Sequence, residues 1–142
     1  MRITATPGRH GRPVVSVALP DVIGTILEFG TGTADSGKRL YITGDTLVID
    51  DLKEIPRRFP GIDLAMLHLG GGRVLGMLVT MDDKQGVELL RTVEPRVAMP
   101  IHYDDYDVFK SPLSDFQAAV EAAGLTDRVR YLRRGESYRL DA

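Results

Sequence analysis

The chain contains no cysteine, which excludes disulfide staples and every zinc site built on thiolates. It also suits a reducing cytoplasm, the compartment expected here. No apolar run approaches the roughly 20 residues that a membrane span needs, so no membrane partner is expected. The opening residues, MRITATPGRHGRP, lack the apolar stretch of a secretory signal. There is no excess of basic charge either. The 18 Lys and Arg stand against 20 Asp and Glu, for a net charge of −2, which leaves no electrostatic footprint for nucleic acid. The short segments Pro56-Arg57-Arg58 and Leu132-Arg133-Arg134 read as solvated faces. A P-loop, a Rossmann fingerprint and a G-x-S-x-G elbow are all missing, as are repeats, linkers and low-complexity tracts.

What remains is an ordinary globular composition, 43% hydrophobic and 27% charged over 142 residues. That is enough chain for one domain, residues 1–142, with a real core. Glycine and proline divide it into short units. Ile3 to Thr6 is β-prone and is broken by Pro7-Gly8. Val14 to Leu19 and Gly24 to Phe29 read as strands. Thr31 to Lys38 reads as the turn of a hairpin that returns as a strand from Arg39 to Thr43. After Gly44-Asp45-Thr46, the apolar Leu47, Leu52 and Ile55 predict a helix running to about Arg58 and stopped by Pro60-Gly61. Asp63 to Leu67 reads as a buried strand leading into His68-Leu69-Gly70-Gly71-Gly72.

Farther along, Thr80 reads as the cap of a helix from Asp82 to Val93, and Arg96 to Ile101 as a strand ending at His102. Ser114 caps a helix to Ala123, which presents Phe116, Ala119, Val120 and Ala123 on one face and stops at Gly124. Val129 to Leu132 and Ser137 to Leu140 read as closing strands. A meander followed by β-α alternation predicts a mixed α/β (α+β) domain with helices centred near residues 52, 87 and 118.

Three polar residues follow β-prone runs: His10 in ITATPGRHG, Asp45 in LYITGDT and His102 in VAMPIHYDDY. Each alone has an ordinary structural reading. His10 could be a hydrogen-bonded loop residue, Asp45 an Asx-turn or helix cap, and His102 a satisfied core histidine. Together they occupy strand-to-loop transitions, where sheet folds gather binding residues. Imidazoles plus a carboxylate form a ligand set suited to a divalent metal, zinc first, with manganese or iron also compatible. Two such ions sharing a water would yield hydroxide near neutral pH. Two histidines and a carboxylate are also the ligand count of a mononuclear Fe(II) enzyme. The run Gly70-Gly71-Gly72 fits either an anion cradle or a turn needing positive φ. Met66, Met77, Met81 and Met99 read as core fillers.

In sequence and order, Thr6-Pro7-Gly8-Arg9-His10-Gly11, Gly44-Asp45-Thr46 and Pro100-Ile101-His102 resemble the second half of a metallo-β-lactamase-fold hydrolase. The similarity is greatest to the branch of ascorbate-6-phosphate lactonases. The resemblance implies the C-terminal half of an αββα sandwich, with a mixed sheet and flanking helices. It also implies a metal-dependent hydrolase in which metal-bound hydroxide attacks an ester, lactone, amide or phosphoester of a small molecule. His10 would bind the first metal, Asp45 would bridge, and His102 would bind the second. His68, Thr46, Tyr103, Asp104, Asp105, Tyr106 and Lys110 would stand around the site or touch substrate, though His68 fits a packed turn histidine as well and the Tyr103-Asp104-Asp105-Tyr106 stretch reads more simply as a solvated loop.

The family's H-x-H-x-D-H motif is absent, and only three histidines occur, His10, His68 and His102. Half of the implied ligands are therefore missing. The expectation is a truncated domain, inactive or weak on its own, with a gene start set too late as one source. Self-association through the sheet face left bare is also expected, and a non-catalytic fragment that folds through a partner is the alternative.

Overall fold

The computed structural model describes residues 1–30 and 37–140. Five strands form one mixed sheet in the order β1-β2-β3-β4-β7. They are β1 (Arg2–Pro7), β2 (Ile23–Phe29), β3 (Lys38–Ile42), β4 (Leu64–His68) and β7 (Val97–Ile101). The pairs β1–β2 and β2–β3 are antiparallel, as the expected meander requires, while β3–β4 and β4–β7 are parallel. Most of the expected turn at Thr31 to Lys38 lies at 31–36, outside the described residues. A separate two-stranded hairpin joins β5 (Arg73–Val74) to β6 (Met77–Leu78). The crossovers carry α2 (Glu54–Arg58) and α3 (Asp83–Val93), and α4 (Leu113–Ala122) follows β7.

Strand alternation gives the sheet two unlike faces. On one, Ile26, Tyr41, Ala65, Leu67 and Ala98 are each at most 1% exposed. They join Leu52, Ile55, Val87, Leu90, Phe116 and Val120 in a single core. Register places Ile3, Leu27, Leu40 and Leu64 in one row on the other face, with Thr25, Ile42, Met66 and Met99 beside it. Leu64 and Met99 are buried, but the face opens toward β1, where Ile3 is 62% exposed, and Ile23 on the same face is 61% exposed.

Several local expectations are corrected. Val14 to Leu19 is not a strand: a short helix, α1 (Pro13–Ser16), stands there. Pro13 presets a helical φ, Ser16 N–H bonds back to Arg12 O, and among the described residues no strand pairs with this segment. The helix after Asp45 starts late, as a 3₁₀ turn at Asp50–Lys53. The N–H groups of Leu47 and Val48 are already committed to Arg9 O and the Gln85 side chain. Asp82, not Thr80, caps α3, its carboxylate accepting from Gln85 N–H. Pro112, not Ser114, occupies the N-cap of α4. The closing strands reduce to one parallel bridge between Ala98 and Val129, and Ser137 to Leu140 forms no strand. The helices expected near 87 and 118 are α3 and α4.

Candidate metal centre

Because β1 runs antiparallel to β2 and β2 to β3, strands β1, β3, β4 and β7 all point the same way. Their C-terminal ends share one rim of the sheet, the usual place for ligands in such topologies. His10 follows β1, Asp45 follows β3, His68 is the last residue of β4, and His102 is the first after β7. Asp45, His68 and His102 line one cleft of about 320 Å³ with Val22, Ile23 and Gly44.

The local sequence explains the placement. Gly44 has φ of 64°, and a Cβ there would lie 2.4 Å from Ile23 O, so only glycine lets the chain turn beneath β2 and present Asp45. Thr46 is fully buried. Its hydroxyl accepts from Arg9 N–H at 2.9 Å and donates to Leu47 O at 2.7 Å, while Leu47 N–H donates to Arg9 O at 2.9 Å. The His10 loop and the Asp45 loop are thereby stitched together.

His102 has φ of 58°, a left-handed conformation that costs a non-glycine residue about 1 kcal/mol or more and often marks a functional position. Phe109 and Tyr106 pack on its ring at 5.0 and 5.8 Å. Gly70 makes room for this packing. A Cβ there would sit 2.7 Å from the Phe109 ring and 2.9 Å from His102 O, and the backbone has φ of 106°. Its carbonyl accepts from Lys110 and Ser111 N–H, both at 3.0 Å. Of its two readings, the glycine run therefore serves the turn.

At the bottom of the cleft, Asp45 Oδ1 and His102 Nδ1 lie 3.4 Å apart. Both atoms are buried and neither makes a hydrogen bond. An Asp–His ion pair is the simpler account of their proximity, but the pair lacks hydrogen-bond alignment. An unsatisfied buried polar atom costs about 1–3 kcal/mol. Two of them turned toward one point suit a cation with nitrogen and oxygen ligands.

His68 is held differently. Its backbone N–H donates to Thr43 Oγ1 at 3.0 Å, and its Nδ1 lies 3.3 Å from the same oxygen. Burial pushes the His68 imidazole below its ordinary value. The Asp45 carboxylate opposes this, the neighbouring His102 adds to it, and Asp105 opposes it. Among the described residues, no three His, Asp or Glu side chains close around one point.

The other residues singled out from sequence are dispersed. His10 lines an adjoining cavity of about 370 Å³, which shares Val22 with the cleft. It stands beside the Asp45–His102 pair rather than with it. Tyr103 packs against the core. Asp104 and Asp105 face Arg134 at 3.5 and 4.0 Å, and Lys110 Nζ donates to Asp107 O at 3.4 Å. None of these four lines the cleft. Thr43 and Phe109 were not singled out from sequence, since a threonine before Gly-Asp and a phenylalanine in a polar loop carry no periodic signal.

A mixed sheet with helices on one face and candidate ligands along one rim corresponds to one half of the metallo-β-lactamase sandwich. The sequence profile of the Beta-lactamase superfamily domain matches residues 1–103, and the chain belongs to that superfamily. A metal-dependent hydrolase of Archaeoglobus fulgidus is 32% identical over 140 residues, covering 96% of this chain and 55% of that protein. Another, from Symbiobacterium thermophilum, is 37% identical over 106 residues, covering 73% and 44%. The chain spans about half the length of the curated relatives it matches. Among solved structures, an isothiocyanate hydrolase from Delia radicum gut bacteria superposes with a TM-score of 0.83 over 99% of this chain and 55% of its own. At 18% identity, that is a likeness of fold. Igni18, a metallo hydrolase of Ignicoccus hospitalis, superposes with a TM-score of 0.69 at 27% identity, covering 94% and 50%.

Proposed function

We propose that this chain carries part of the metal site of a metal-dependent hydrolase acting on a small molecule. The observation that carries the reading is the pair of buried, unpartnered atoms Asp45 Oδ1 and His102 Nδ1, 3.4 Å apart. Relatives named metal-dependent hydrolases support it. Asp45 and His102 would hold a divalent ion, zinc first, with manganese or iron compatible with the same donors. His10, on the loop stitched to that of Asp45, would serve a neighbouring position. A divalent ion supplies hydroxide near neutral pH and a Lewis acid for the bond under attack.

The chain's own residues do the rest. Gly44 aims the carboxylate, and Tyr106 and Phe109 shield the His102 ring from water. Val22 and Ile23 give the cleft an apolar lip for the uncharged part of an ester, lactone, amide or phosphoester. A tight zinc site usually has three or four protein ligands, and here Asp45 and His102 supply two. The 142-residue chain alone should therefore turn substrate over weakly or not at all.

Calorimetry with zinc tests this. The chain should bind at micromolar affinity or weaker, and more tightly at about pH 7.5 than at about pH 5.5, because protonated imidazole cannot ligate. Asp45→Asn and His102→Ala should each weaken binding at least about tenfold. Unchanged affinity in both would reject the assignment.

A further inference from the structure

Resting on that reading, we propose that the substrate carries an extended apolar group, which lies along a collar of exposed apolar side chains around the metal centre, with Leu75 as its outermost contact. Most of the large apolar side chains that the described residues leave in water stand at the rim of Asp45 and His102. They are Val14, Val17, Ile23, Leu75, Tyr106 and Val108. Met1, Ile3 and Phe29 mark the opposite end of the sheet. The collar residues come from three separate connections, after β1, β4 and β7, so no single amphipathic element accounts for them.

Leu75 carries the argument furthest. It is 90% exposed and has φ of 49°, and the next residue, Gly76, has φ of 78°. The two form the loop between the paired residues Val74 and Met77, where Asn, Asp or Gly tolerates positive φ at the first place. Leucine there is strained by its Cβ and is also left in water. Neither packing nor turn chemistry calls for it, whereas contact with an apolar ligand does. The hairpin is braced as well. Arg73 Nη1 donates to Gly76 O at 3.0 Å, and Val79 N–H donates to Gly72 O at 2.8 Å. Gly11 N–H donates to Val79 O at 3.1 Å, which roots the hairpin on the His10 loop.

The collar is continuous with the site. Ile23 lines the cleft of Asp45 and His102, Val17 lines the adjoining cavity, and Val22 lines both. Tyr106 packs on the His102 ring. The exposed charges of Asp21, Arg73 and Asp105 stand on the same connections. A broad protein partner would have to take them out of water, which is costly. A narrow apolar group passes between them.

The experiment measures binding of hexanamide and acetamide to the 142-residue chain, without zinc, by saturation-transfer NMR. Hexanamide should bind at least about tenfold more tightly, as expected when roughly half of its additional methylene surface leaves water. Leu75→Asn suits the turn and should fold at least as well. It should cut the preference for hexanamide at least about threefold, while acetamide binding and zinc affinity stay the same. A role confined to the turn would change stability and leave that preference alone. Leu27→Thr, on the uncovered sheet face, should also leave it intact. Equal binding of the two amides, or a preference lost in Leu27→Thr and kept in Leu75→Asn, overturns the proposal. Zinc calorimetry is read separately, so that result with zinc binding intact rejects the collar and leaves the metal centre standing.

Discussion

At the scale of single residues, Asp63 shows how one carboxylate joins three strands. It is 8% exposed and accepts from Arg39 N–H at 2.9 Å, Arg96 Nη1 at 3.0 Å and Lys38 Nζ at 3.4 Å. Burial alone would raise its ionisation value, but the Arg39 and Arg96 hydrogen bonds and the Lys38 charge hold it below the ordinary carboxylate range. A depressed value means that the stabilisation is full above the unfolded aspartate value and is lost as pH falls through the folded one. Asp63→Asn should therefore lower stability at pH 7 by about 1–3 kcal/mol, and the gap should close as acid neutralises the native carboxylate. Thermal unfolding between about pH 7 and about pH 3 measures it. A gap independent of pH would mean that packing, not charge, is at work. That Asp45 and His102 lie near one another was legible in outline, because each stands where a β-prone run gives way to a loop. The contact of His68 with Thr43 was not, since the two are 25 residues apart and meet only once β3 and β4 pair in parallel.

Among the elements, α3 and α4 pack through an unusually small contact residue. Gly86 sits inside α3, where glycine costs about 1 kcal/mol relative to alanine. A Cβ at Gly86 would stand 2.7 Å from the Phe116 ring and 3.0 Å from Leu69, and Phe116 is 1% exposed with no room to retreat. Overpacking typically costs about 1–3 kcal/mol, so it should match or exceed the helix gain. Gly86→Ala should thus leave stability unchanged or lower it by up to about 2 kcal/mol in denaturant unfolding. A gain of the full propensity difference would show that the helices can separate freely. The longer helices were readable because their apolar spacing coincides with burial. Short elements were not: Val14 and Val17 favour a strand by type, yet they are 84% and 90% exposed, and Pro13 and the local hydrogen bonds decided the shape. The same holds for residues 129–140, where β-prone types lack a neighbouring strand beyond one bridge to Ala98.

For the molecule as a whole, α2, α3 and α4 share the core on one face of the sheet. The other is apolar across β1, β2 and β3, and monomers rarely expose more than a few hundred Å² of such surface. The 142-residue chain on its own should associate with itself at micromolar concentration, and light scattering should show it. Replacing Ile3 and Ile23 together with lysine should shift it toward monomer. A stable monomer at high concentration in the unaltered chain would contradict this. Sidedness was foreseeable from the missing half-motif. Which part of the face stays open depends on register, and that is where Leu64 and Met99 part company with Ile3.

The parallel strands are fastened very differently at their two ends. At the start of β3, and just before β7, Lys38, Arg39 and Arg96 gather on Asp63, a clasp present whenever the carboxylate is charged. At the opposite end, Asp45 Oδ1 and His102 Nδ1 are buried and make no hydrogen bond. The sheet is thus clasped by charge at one margin and tied by fewer polar contacts at the other. Thermal fraying should then begin along the rim that carries Asp45 and His102, and amide exchange there should outpace that around Asp63.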